Sequence, residues 1–226
     1  MRRSIWLLAL LLVLGCAPIP SVEEETEEAA YTTFSVLFGK TPGEEMFFPQ
    51  WEGEHVKVWA AVHALDEDVA RELGTQLEEE WMPALPLMEA AAGQKLQLLV
   101  TYLPSKTFGY TPLPPEGEPQ IILSALRPEA MAYTLCHEYQ HVCAWYACDA
   151  GGVTLSEAAD EALSAAFCEQ MLPGKGKELG ILDEERECSA RELLALMGEE
   201  GVAAVHRELS QGHTQEDIWQ DLFGID

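Results

Sequence analysis

Residues 134–142 read Thr134-Leu135-Cys136-His137-Glu138-Tyr139-Gln140-His141-Val142. They lie within Ala132–Cys148, a run without glycine or proline and rich in good helix formers, so this stretch is expected to be helical. On a helix, residues four apart are offset by only about 40°. His137 and His141 then point the same way, one turn apart, and can share one ion. Imidazole nitrogens suit zinc, which holds them at about 2.0–2.1 Å. Glu138 is near enough to take a proton from an attacking water without being a ligand, which is the place of a general base in a zinc hydrolase. The plainer alternative is a pair of histidines covering a helix face. With only 6 His in the chain, an HExxH pattern by chance is expected in roughly one of a hundred such chains.

Downstream, the helix must stop near Asp149-Ala150-Gly151-Gly152, and Ser156 reads as the N-cap of a second helix running to Leu172, before Pro173-Gly174. This second helix carries Glu157, Asp160, Glu161 and Glu169. Taken together, TLCHEYQHV followed by LSEAADEAL resembles a bacterial family of predicted zinc-dependent proteases of the gluzincin type, whose members show an HEYxH motif and then an EGLAE-like segment. The resemblance covers Lys95 to Pro173, with Ala158 where glycine is usual and Asp160 where alanine is usual. It implies an α+β, zincin-like fold: a small sheet, an active-site helix and a glutamate-bearing helix. It also implies one Zn2+ on a His-His-Glu site, and a peptide or protein substrate that adds as a strand along the edge Gln120–Ser124. A metzincin site would need a glycine and a third histidine where Ala144 and Ala147 stand.

Three acids compete for the third ligand position. Glu157 and Glu161 share a helix face, and Asp160 lies about 60° to the other side of Glu157. Glu157 is central among them and closest to the short connection, so it is the expected ligand beside His137 and His141. Glu161, a turn further on, is expected to accept the second ring N–H of a ligand histidine. An electrophile for the oxyanion is also needed. His206 is the first candidate, ahead of His213, Tyr102 and Tyr110. The rival to a peptidase is a non-catalytic zinc- or partner-binding lipoprotein on the same scaffold. Glu138 argues for the enzyme, because a binding site has no use for a base.

The chain has 226 residues and is 48% hydrophobic, which suits one cored domain. Arg2-Arg3 followed by the apolar Ile5–Leu14 has the pattern of an export signal. Val13-Leu14-Gly15-Cys16 resembles the lipobox of bacterial lipoproteins. Residues 1–15 are therefore expected to be a signal peptide, with Cys16 lipidated and the domain facing the extracytoplasmic side of a bacterial membrane. Residues 16–30, with Glu23, Glu24, Glu25, Glu27 and Glu28, read as an acidic tether, and 31–226 as the folded domain. The formal charge of −26 becomes two units more negative once Arg2 and Arg3 leave with the signal peptide. Phosphate backbones would be repelled, so nucleic acid is not an expected partner. Cys136, Cys143, Cys148, Cys168 and Cys188 remain after Cys16. Cys136 and Cys143 fall off the metal-facing side of the helix and read as buried positions, with a disulfide open to an exported domain.

Elsewhere, Thr33–Phe38, Val56–Val62, Lys95–Leu103 and Gln120–Ser124 have the composition of strands, and Pro42, Gly43 and Pro49 break the first interval. Asp66–Leu77 reads as a helix continuing through Trp81 and bending at Pro83 and Pro86. Residues 104–119 read as a Pro- and Gly-rich loop, and Lys175–Gly180 as another. Asp183–Met197, Val202–Ser210 and Thr214–Phe223 read as three more helices.

Overall fold

The computed structural model describes residues 47–61, 63–86, 93–103, 107–115 and 117–224. The expected signal peptide, the expected tether, Cys16 and the strand expected at Thr33–Phe38 lie outside these residues. Within them the fold is α+β, with five strands and seven helices. The strands are β1 (Phe47–Glu52), β2 (Val56–Ala61), β3 (Leu96–Thr101), β4 (Gly109–Tyr110) and β5 (Gln120–Ser124). The helices are α1 (Glu67–Gln76), α2 (Pro128–Gly151), α3 (Glu157–Met171), α4 (Lys175–Glu178), α5 (Glu184–Met197), α6 (Val202–Ser210) and α7 (Gln215–Phe223). A π-helical turn over Leu77–Trp81 and a short turn over Met82–Ala84 extend α1.

The strands form one sheet in the order β1-β2-β3-β5-β4. The three central strands are parallel, and β1 and β4 are antiparallel at the two edges. Parallel strands need long crossovers, and α1 supplies the one between β2 and β3. Successive side chains alternate faces. One face presents Val56, Val58, Ala60, Leu96, Leu98, Val100, Ile121 and Leu123, all fully buried beneath the helices. Each large aliphatic side chain buried in this way contributes about 1.5–3 kcal/mol relative to exposure. Phe47, Leu99 and Ile122 form a smaller cluster on the other face with Trp59 and Tyr110.

Two edge strands escape a reading based on pattern. Pro49 looks like a breaker, yet it sits in β1 beside a register shift between Pro49 and Trp51. An edge strand tolerates proline and a bulge because one side of its backbone needs no ladder partner. β4, inside the expected loop, is only two residues long and is recognisable through its pairing with Leu123 and Ile122. Its presence corrects the expectation for Gln120–Ser124. That strand is interior, flanked by β3 and β4, and the edge on this side belongs to β4.

The long helix α2 lies at the centre, against α3, α6 and β5. It buries residues on several faces, including Leu135, Cys136, Tyr139, Val142, Cys143 and Ala147, as a helix inside a core must. Tyr139 inside the motif fixes its height by donating its hydroxyl to the carbonyl oxygen of Leu85, 2.6 Å away. At the far end Gly152 adopts φ 64°, the left-handed cap that ends the helix. Gly151 allows the close approach of α6, since a Cβ there would meet the carbonyl oxygen of Leu209 at 1.9 Å. Ser156 caps α3 by accepting from the Ala159 amide. Cys136, Cys143, Cys148, Cys168 and Cys188 are free thiols, and the first two are fully buried as expected. Among the described residues no helix is long and apolar enough to cross a membrane.

Candidate metal centre

The helical spacing brings His137 and His141 together. Their Nε2 atoms are 3.0 Å apart, with ring centroids at 4.7 Å and planes at 82°. Glu161 closes the group from α3, with Oε1 3.5 Å from His141 Nε2 and Oε2 3.6 Å from His137 Nε2. His137, His141 and Glu161 each offer a ligand atom, all within 4.8 Å of one another. A tetrahedral ion with ligands at about 2.0–2.1 Å holds them about 3.3–3.4 Å apart. The Nε2–Nε2 distance of 3.0 Å and the distance from each histidine to its nearer Glu161 oxygen, 3.5 and 3.6 Å, lie on either side of that value. The donor set is also right for a metal: two imidazole nitrogens that cannot both be satisfied by each other, and a carboxylate beside them.

Asp160 supports the group from behind. Its Oδ2 accepts from Nδ1 of His141 at 2.8 Å. With the proton on Nδ1, Nε2 keeps its lone pair aimed at the group, the arrangement that commonly orients a metal-ligating histidine. The same charges favour a proton. Burial pulls the His141 imidazole down, but the Asp160 and Glu161 carboxylates outweigh it and hold the group up at about 10. Burial likewise pushes the Glu161 carboxyl up, and His141, His137 and the Arg186 guanidinium more than offset this, leaving it lowered. Cys168, fully buried on α3, approaches the ring of His137 and also Cys136.

Glu157, the expected third ligand, is exposed and stands outside this group. The register of the two helices explains it. Gln140 faces Ser164, whose hydroxyl donates to it, and the carbonyl oxygen of Tyr133 faces the Cys168 thiol at 3.8 Å. On that antiparallel register Glu161 comes level with His141, while Glu157 falls opposite Trp145, a turn too far along. Proximity to the loop is misleading because α2 runs on for ten residues after His141. In the structure Glu161, rather than Glu157, stands with the two histidines, and Asp160, rather than Glu161, accepts from the second ring N–H of His141.

Glu138 is buried, at 7% exposure. Thr111, just after β4, donates its hydroxyl to Glu138 Oε2 at 2.9 Å and lies 3.3 Å from the Glu138 carbonyl oxygen. No helical or strand periodicity marks this threonine, which lies in a stretch that reads as loop. His206, the candidate electrophile, is buried on α6 with its Nε2 3.3 Å from the Gln140 amide nitrogen. It lies beneath the motif helix, and the structure does not bring it into the His137–His141–Glu161 group. Burial pushes its imidazole down to about 4, against the opposing pull of Asp160.

No protein-family model matches the chain, and no curated protein matches it either.

Proposed function

We propose that the protein is a zinc-dependent peptidase with a gluzincin-like site in which His137, His141 and Glu161 hold the metal and Glu138 is the general base. The observation that carries this reading is the convergence of the two Nε2 atoms and the Glu161 carboxylate at 3.0, 3.5 and 3.6 Å, with Glu138 on the same helix beside them. A bound zinc supplies Lewis acidity, polarising a carbonyl and making water acidic enough to attack near neutral pH. Glu138 takes the proton of the attacking water and passes it to the departing amine. Asp160 holds His141 in the tautomer that leaves Nε2 free. The antiparallel edge strand β4, next to Glu138 through Thr111, is where an extended peptide would add to the sheet. The resemblance of TLCHEYQHV and LSEAADEAL to the gluzincin-type family supports the same assignment.

The test is metal analysis of the purified domain with an unbiased peptide-library digest. One zinc per chain, with cleavage lost on chelation and regained on zinc addition, supports the reading. Tight zinc binding without cleavage of any peptide would favour the non-catalytic lipoprotein instead. As a further part of the proposal, the domain is exported and anchored through lipid on Cys16. Membrane fractionation checks it: Cys16→Ser should leave the membrane fraction, and equal retention would refute the anchor.

A further inference from the structure

The segment that follows β4 lies directly on the motif helix. Gly109 and Thr111 alternate with Tyr110, as strand geometry requires. Tyr110 packs into the cluster on the outer face of the sheet with Phe47, Leu99 and Ile122. Gly109 and Thr111 face α2. A Cβ on Gly109 would stand 2.7 Å from Thr134 Cγ2 and 3.0 Å from the Ile122 carbonyl oxygen, so only glycine lets the strand sit this close. Thr111 then meets Glu138. Two residues along a strand advance about 6.6–6.8 Å, and the four residues from Thr134 to Glu138 advance about 6 Å along the helix. The two contacts are therefore in step: the bare backbone at Gly109 docks on one turn of α2 and delivers the Thr111 hydroxyl to the next.

We infer that Thr111 is the positioning residue for the general base, fixing the Glu138 carboxylate through Oε2 so that Oε1 is presented to the attacking water. A glutamate has three rotatable side-chain bonds, and among the described residues Thr111 is the side chain that hydrogen-bonds this one. A carboxylate held by one oxygen keeps the other free as proton acceptor. The hold also links the base to the edge strand, so a displacement of β4 displaces Glu138. This inference rests on the peptidase reading for its catalytic meaning, while the hold itself can be measured without turnover.

The experiment compares wild type, Thr111→Val and Thr111→Ser in the zinc-loaded protein. Valine keeps the shape and removes the hydroxyl, and serine restores it. The carboxylate carbon resonance of Glu138 is followed at fixed pH in glutamate-labelled protein, assigned by its disappearance in Glu138→Gln. It should move in Thr111→Val and return in Thr111→Ser. In the same samples kcat should fall by about 10-fold or more in Thr111→Val, as expected when a reacting group loses its alignment, with KM and zinc affinity within about 2-fold, and serine should recover most of it. An unmoved Glu138 resonance in Thr111→Val would overturn the hold. A moved resonance with unchanged kcat would overturn its catalytic role. A wild type that cleaves nothing, with the resonance still responding, would overturn the peptidase reading and leave the hold standing.

Discussion

Nδ1 of His141 lies 2.8 Å from Oδ2 of Asp160, which ties the second histidine of the motif to the helix that follows it. The contact orients the ring and keeps Nε2 turned toward His137 and Glu161. Replacing Asp160 should therefore weaken zinc binding without removing a ligand. Asp160→Ala is expected to lose about 10–100-fold in zinc affinity, the range for a partner of a ligating histidine. Competition with a chromophoric chelator measures it, and unchanged affinity would remove Asp160 from the site.

Glu161 and Glu157 make a second, sharper comparison. Glu161→Gln removes a carboxylate that faces both imidazoles and should lose most of the zinc affinity. Glu157→Gln changes an exposed side chain outside the group and should stay within about 2-fold of wild type, as surface changes away from such features do. The reverse order would return the third ligand to Glu157.

These two acids also show where the sequence is readable and where it is not. His137 and His141 are placed by a single number, the helical repeat, and they meet as that number requires. The two helix boundaries around Gly152 and Ser156 are equally local, set by a left-handed glycine and a serine cap. The third acid depends on how α3 crosses α2, a tertiary quantity fixed by pairs such as Gln140–Ser164 that no spacing within one helix reveals. β4 was hidden for a similar reason: two residues are too few for periodicity, and only the neighbour β5 defines them. His206 sits where the helical pattern of α6 puts a buried residue, and its chemistry as a candidate electrophile gave no information about its depth.

The depth of His206 has a consequence for acid stability. Its folded value is pushed down to about 4 by burial, against about 6.5 when unfolded. A depressed histidine contributes stability that is present above about pH 6.5 and is lost as pH falls through about 4, because the unfolded chain takes the proton first. Urea unfolding in the presence of a chelator should show this loss at up to about 1.4 kcal/mol per pH unit, beyond that of His206→Gln. Parallel pH profiles for the two proteins would mean that His206 takes up its proton as readily in the folded as in the unfolded chain, contradicting the depression.

Gly109→Ala should be destabilising although it adds only a methyl group. The new Cβ would press on Thr134 Cγ2 at 2.7 Å and on the Ile122 backbone at 3.0 Å, and overpacking of this kind costs about 1–3 kcal/mol. Adding Thr134→Ser, which removes the Cγ2 and keeps the hydroxyl, should recover part of the loss. Denaturant midpoints of the single and double variants measure it, and a neutral Gly109→Ala would mean that β4 does not depend on its closeness to α2.

The peptidase assignment stands or falls on Glu138. The measurement is a peptide-library digest with zinc-loaded wild type and Glu138→Gln, alongside their metal content. Both proteins should hold one zinc per chain, and the variant should lose at least about 10²-fold in turnover, the lower range for an acid–base group. A Glu138→Gln protein that binds zinc and cleaves peptides as fast as wild type would contradict the account.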